Sequence, residues 1–164
     1  MAAPQSAPGS VPVVLAKRDT TESFTLGPYF IRVLEDGSHT DNRIGAVSIV
    51  VPPKTDGPPQ HWHRMHDETF LVTRGTLRFT SGTGIIDAKA GDLAVVPPKS
   101  YHTFANPFDE EAEFFNTYTP AYYVDYLRLM SKAQTAGAVL DAEETKRLMY
   151  QFATFPPVEE AVVG

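Results

Sequence analysis

Two histidines stand two residues apart in the stretch His61-Trp62-His63-Arg64-Met65-His66-Asp67-Glu68. On a β-strand, residues i and i+2 share a face, roughly 6.5 Å apart at the backbone. Two imidazoles so placed can converge on one divalent ion at about 2.1 Å, and Trp62 must point the other way. Arg64 to Asp67 are polar enough to turn the chain back. Glu68 opens the following strand, so its carboxylate can return to the same ion. Phe70 and Val72 share its face and wall the site with apolar surface. Gly75 ends that strand where a tight turn needs a residue that tolerates positive φ.

A second stretch completes the set. Gly91-Asp92 reads as a turn, Leu93–Val96 as a buried strand, and Pro97-Pro98 as its stop. His102 comes next, with Phe104 on the same face and Asn106-Pro107 as another turn. A third histidine at the mouth of an adjacent strand gives a shell of His61, His63, Glu68 and His102. Two positions would remain open on an octahedral ion. An open site of this kind suits Fe, Mn, Ni or Co, and Zn would be natural with closed tetrahedral geometry; Fe and Ni are placed ahead of the others.

These residues bring a family into view. The spacing His-x-His, four residues, Glu, six residues, Gly resembles the first motif of the cupin superfamily. Gly91, five residues, Pro97, then His102, three residues, Asn106 resembles the second. The chain departs from the pattern at Thr55 and Lys99, where glycines are usual; both positions concern turn geometry rather than ligands. The resemblance runs from the strand near Ile44 to the strand near Thr117. It implies an all-β fold, a single cupin jelly-roll β-barrel, and a homodimer. The Pro58-Pro59 lead-in, Asp67-Glu68-Thr69-Phe70 and Thr119-Pro120-Ala121 are similar to small quercetin 2,3-dioxygenase-like cupins. That likeness implies a dioxygenase cleaving a flavonol or related enol ring.

The rest of the chain agrees with one barrel. Its 164 residues suit a single domain, and an apolar content of 42% is ordinary for a globular protein. No run approaches the roughly 18 apolar residues of a membrane span. The first ten residues lack the basic and apolar regions of a secretion signal, so a cytoplasmic location is expected. With no cysteine in the sequence, disulfides and thiolate ligands are excluded. A net charge of −6 without a long basic run argues against nucleic acid or an anionic membrane as partner.

Residues 1–12 read as a flexible segment, 13–120 as the barrel and 121–164 as a helical extension packed outside it. Val13-Val14-Leu15 is expected as an edge strand or as an arm that pairs with a second subunit. Short strands with Gly and Pro punctuation follow from Ser23 to Thr119. Tyr123, Tyr126, Leu127 and Met130 fall at helical spacing. Asp141 with Glu144 three later predicts a capping box opening a helix through about Met149, closed by Pro156-Pro157.

Other residues have plainer readings. His66 sits in the turn and reads as a solvated side chain; its sharper reading is a proton shuttle at the pocket rim. His39 reads as surface. Phe70, Phe79 and Phe104 are expected as substrate-pocket wall, and Tyr122, Tyr123 and Tyr126 as helix packing. Glu68 has a possible double role, as a ligand and as the base that takes a proton from an enol or phenol. The function expected is a metal-dependent enzyme acting on a small aromatic or enolic substrate. A non-oxidative isomerase, cyclase or decarboxylase of a polyketide-like aromatic is the alternative, and a non-enzymatic small-molecule binder the second.

Overall fold

Alternation of inward apolar and outward polar residues builds most of this molecule. The computed structural model describes residue 9, residues 11–138 and residues 141–157. Most of the segment expected to be flexible, residues 1–8 and 10, lies outside the described residues. The strands are β1 (Ser23–Leu26), β2 (Tyr29–Glu35), β3 (Gly45–Val51), β4 (Trp62–His63), β5 (Asp67–Arg74), β6 (Thr76–Ser81), β7 (Gly84–Lys89), β8 (Leu93–Val96), β9 (Thr103–Ala105) and β10 (Ala112–Thr119). Helices α1 (Tyr123–Thr135) and α2 (Ala142–Gln151) follow, then a short strand β11 (Thr154–Phe155).

One antiparallel sheet has the order β1-β2-β3-β10-β5-β8; a smaller one has β7-β6-β9, and β4 pairs with β11. Between the two larger sheets lies the core, where Val47, Val51, Val72, Leu77 and Phe114 are fully buried. The fold is the all-β jelly roll expected, with both helices after the barrel.

Close backbone contacts bring the two motifs together. His61 and His102 form an isolated antiparallel bridge, each N–H donating to the other's carbonyl at 3.1 and 2.9 Å. Lys99 N–H donates to His63 O at 2.7 Å, and Lys99 holds φ at 70° where the family pattern has glycine. A left-handed backbone costs a lysine about 1–2 kcal/mol, offset here by that tie. Gly57 is required by approach: a Cβ there would sit 1.4 Å from Phe104 O. Gly75 has φ at 71°, as its turn demands.

Three features differ from the sequence reading. Leu93–Val96 is the sheet edge rather than a buried strand: Val96 points in, while Leu93 and Val95 are exposed. An apolar run of four residues cannot reveal that no strand pairs beyond it. Val13, Val14 and Leu15 form no strand and are exposed. Strand β11 was not expected, because two residues carry no periodicity. No helix among the described residues is long and apolar enough to cross a membrane.

Candidate metal centre

The first-motif strands and the second-motif bridge bring His61, His63 and His102 into one buried group, which Glu68 joins through His63 and His102. His61, His63, Glu68 and His102 are each at most 8% exposed. The ligand atoms of the three histidines all lie within 4.8 Å of one another. Glu68 Oε2 stands 3.1 Å from His63 Nε2 and 3.0 Å from His102 Nε2. Two ligand atoms at right angles about one ion, each at about 2.1 Å, stand about 3.0 Å apart, so this spacing is that of neighbouring ligands.

The outer ring nitrogens are engaged elsewhere. His61 Nδ1 donates to Pro59 O at 2.9 Å and His102 Nδ1 to Ser100 O at 3.1 Å. A carbonyl can only accept, so both Nδ1 atoms carry a proton, and in the neutral ring Nε2 keeps its lone pair. His63 Nδ1 stands 2.9 Å from Thr154 Oγ1. In that neutral form a bare Nε2 facing the Glu68 carboxylate repels it, a conflict that either a proton or a cation between them removes. Donor type, spacing and orientation therefore fit a divalent ion, and the cluster can hold one.

The electrostatics follow from burial and neighbours. Burial alone would raise the Glu68 carboxyl, but His102 and His63 hold it below the usual carboxylate range. Burial lowers His61 to about 4, helped by the neighbouring His102 and His63. For His102 burial acts downward too, but its contact with Glu68 outweighs this and leaves it raised.

His66 is neither solvated nor at the rim. It is 5% exposed, its ring 3.9 Å from that of His63, with Tyr123 and Tyr118 rings at 4.9 and 5.7 Å. Burial lowers it to about 3, with His63 adding to the shift. Its Nε2 is one of three buried side-chain polar atoms without a partner among the described residues. It also clusters with His63 and Glu68. The tyrosines that cover it come from far along the chain, so nothing local in the turn announced its burial.

A cavity of about 670 Å³ opens above Glu68. Phe70 and Phe104 line it; Phe79 does not, and lies behind Phe70 at a ring separation of 5.2 Å. Tyr29, Asn116, Tyr118, Tyr123, Tyr126 and Met149 line it as well. Tyr123 and Tyr126 were expected only as helix packing. Asn116 was legible in principle, as a polar residue in the inward row Phe114-x-Asn116-x-Tyr118; its amide donates to Thr69 O at 2.7 Å. Burial pushes the Tyr118 and Tyr123 phenols well above their ordinary value, so they remain neutral donors. Trp62 faces away from the site and stacks on Phe155, ring centroids 4.6 Å apart.

Comparison with known proteins agrees with this fold. Residues 47–118 match the Cupin domain family. No curated protein matches the chain. Among solved structures, an RmlC-like cupin from Shewanella frigidimarina is 23% identical, with a TM-score of 0.58, over 67% of this chain and 93% of that one. A predicted oxalate decarboxylase from Thermotoga maritima is 16% identical, TM-score 0.59, over 66% and 99%. The nucleoside dehydratase PAC13 of Streptomyces is 19% identical, TM-score 0.54, over 66% and 83%. At these identities the likeness is one of fold. Together the domain match and the shared fold support the cupin superfamily.

Proposed function

With the cupin barrel as premise, we propose that this protein is a metal-dependent enzyme acting on a small aromatic enol or phenol, with quercetinase-like dioxygenation as its first reading. One observation carries this: His61, His63 and His102 form one buried group that Glu68 joins through His63 and His102, and His61, Glu68 and His102 line a cavity walled by aromatic rings. A volume of about 670 Å³ suits a substrate of two or three rings. A divalent ion held by those four side chains, Fe or Ni first, supplies Lewis acidity toward a substrate oxygen and, when redox-active, an electron path to O₂.

The chain's own residues do the rest. Phe70, Phe104 and Tyr29 orient a flat ring by edge and face contacts. Glu68 Oε2 faces both histidines, and Oε1 is the atom we assign to take a hydroxyl proton. The apolar wall keeps water out, so that the proton returns to product rather than to solvent.

The second reading is non-oxidative: dehydration, decarboxylation or isomerisation. It draws on the neutral Tyr118 and Tyr123 beside an ionised Glu68, an acid and base set apart by their surroundings. The experiment is elemental analysis of protein purified without added metal, then incubation with a flavonol panel with and without air. Dioxygenation predicts uptake of O₂ and release of a one-carbon product. Equal conversion without O₂ selects the second reading; ligand held unchanged for hours selects a binder.

A further inference from the structure

We infer that Thr154 sets the tautomer of His63, so that the C-terminal segment keeps this nitrogen open toward the cation site. His61 and His102 have no choice, since each faces a carbonyl. His63 faces a hydroxyl, which can accept from Nδ1–H or donate to a bare Nδ1. If it donated, His63 would carry its proton on Nε2 and give it to Glu68 Oε2 at 3.1 Å, which closes the lone pair needed for an ion. The decision lies with Phe152 O, 3.3 Å from Thr154 Oγ1, which takes the hydroxyl proton, while the neutral Tyr123 phenol, also hydrogen-bonded to Thr154, donates to one of the two lone pairs left on Oγ1. Oγ1 then presents a lone pair to His63, and Nδ1 must be the donor.

The hydroxyl is held for this task. Thr154 is fully buried and pairs with His63 in register across β11 and β4. Arg64 N–H donates to Ala153 O at 2.8 Å, and Phe155 lies between the Trp62 and Tyr150 rings. None of residues 152–155 falls in the stretch that matches the Cupin domain, residues 47–118. The hydrogen-bond argument stands without any ion; only its consequence for affinity rests on the proposed metal shell.

The test uses metal-free protein with ¹⁵N-labelled histidine. Long-range ¹H–¹⁵N correlation should show His63 protonated at Nδ1 in the unsubstituted chain and in Thr154→Ser. Thr154→Val has nearly the same shape but cannot accept, and should move the proton to Nε2. Its Co²⁺ affinity, by chelator competition, should fall about 10–100-fold, the usual effect of losing an outer partner. Thr154→Ser should stay within about threefold, because its hydroxyl restores that outer partner. An Nε2–H form of His63 in the unsubstituted chain overturns the inference, whether or not the valine variant folds. So does a valine variant with unchanged tautomer and affinity. Unsubstituted protein with Nδ1–H at His63 but no Co²⁺ binding would sink the metal reading and leave Thr154's role standing.

Discussion

The cavity has two walls, held by different forces. On the barrel side, Phe70, Asn116 and Tyr118 sit on β5 and β10, paired with each other over seven residues and flanked by further strands. Each of those three is at most 2% exposed. On the helical side, α1 buries Tyr123, Val124, Leu127 and Ser131, but α2 buries no residue at all. Even so, Ala142, Thr145, Lys146 and Met149 of α2 line the cavity. A ladder of hydrogen bonds fixes position; a helix held by side chains and one short strand adapts. On the proposed reading the metal cluster and the Phe70, Phe104 and Tyr29 rings belong to the fixed wall, and the adaptable one adjusts the rest of the cavity to what it holds.

The sharpest way to break this contrast is at the floor. His61→Ala removes a proposed ligand and leaves the backbone bridge to His102 in place. Metal content should fall to background, and turnover by more than the roughly 10–100-fold typical of an outer partner, while the far-ultraviolet spectrum holds. Retained metal in that variant would mean the four side chains do not act as one shell.

A change in the scaffold should do the reverse. Asn106 is fully buried; its amide donates to Val51 O, Pro52 O and Glu110 O, and its Oδ1 accepts from Phe108 N. Asn106→Ala strands several backbone groups and should cost about 2–4 kcal/mol in urea unfolding, with metal stoichiometry of the folded protein unchanged. An unchanged unfolding midpoint would show that this corner does not hold the barrel.

The same contrast explains what could be read from the sequence. His61, His63 and Glu68 were legible because strand spacing is local, and His102 because its motif neighbours mark its turn. Helix α2 was legible from its capping box, Asp141 with Glu144, which the structure contains. The rest depends on contacts far along the chain. Thr154 lies 91 residues from His63, and its strand is too short to pattern. His66 looked solvated because its turn is polar; Tyr118 and Tyr123 cover it from β10 and α1. Leu93 and Val95 looked buried because sequence does not say where a sheet ends.

On the adaptable wall, Met149→Ala should widen the cavity and leave the floor untouched. Losing that contact is worth about 1–1.5 kcal/mol, or about 5–13-fold weaker binding of a flavonol. The check is calorimetry alongside metal analysis. An equal loss of metal would show that the walls are coupled rather than separate.

The smallest effect, and the finest test of separation, lies at the start of α2. Asp141 accepts from Glu144 N at 2.8 Å, and Glu144 accepts in return from Asp141 N at 3.2 Å. Replacing such a cap with alanine costs about 0.5–2 kcal/mol. Because α2 contributes nothing to the core, that loss should fall on the helix alone. Hydrogen exchange of α2 amides in Asp141→Ala should quicken by about 2–30-fold, the same free energy expressed as a local opening constant. Amides of β5 and β10, which open only with the whole barrel, should keep their rates. If they quickened in step, α2 would belong to the same cooperative unit as the strands, and the division between a fixed and an adaptable wall would fail.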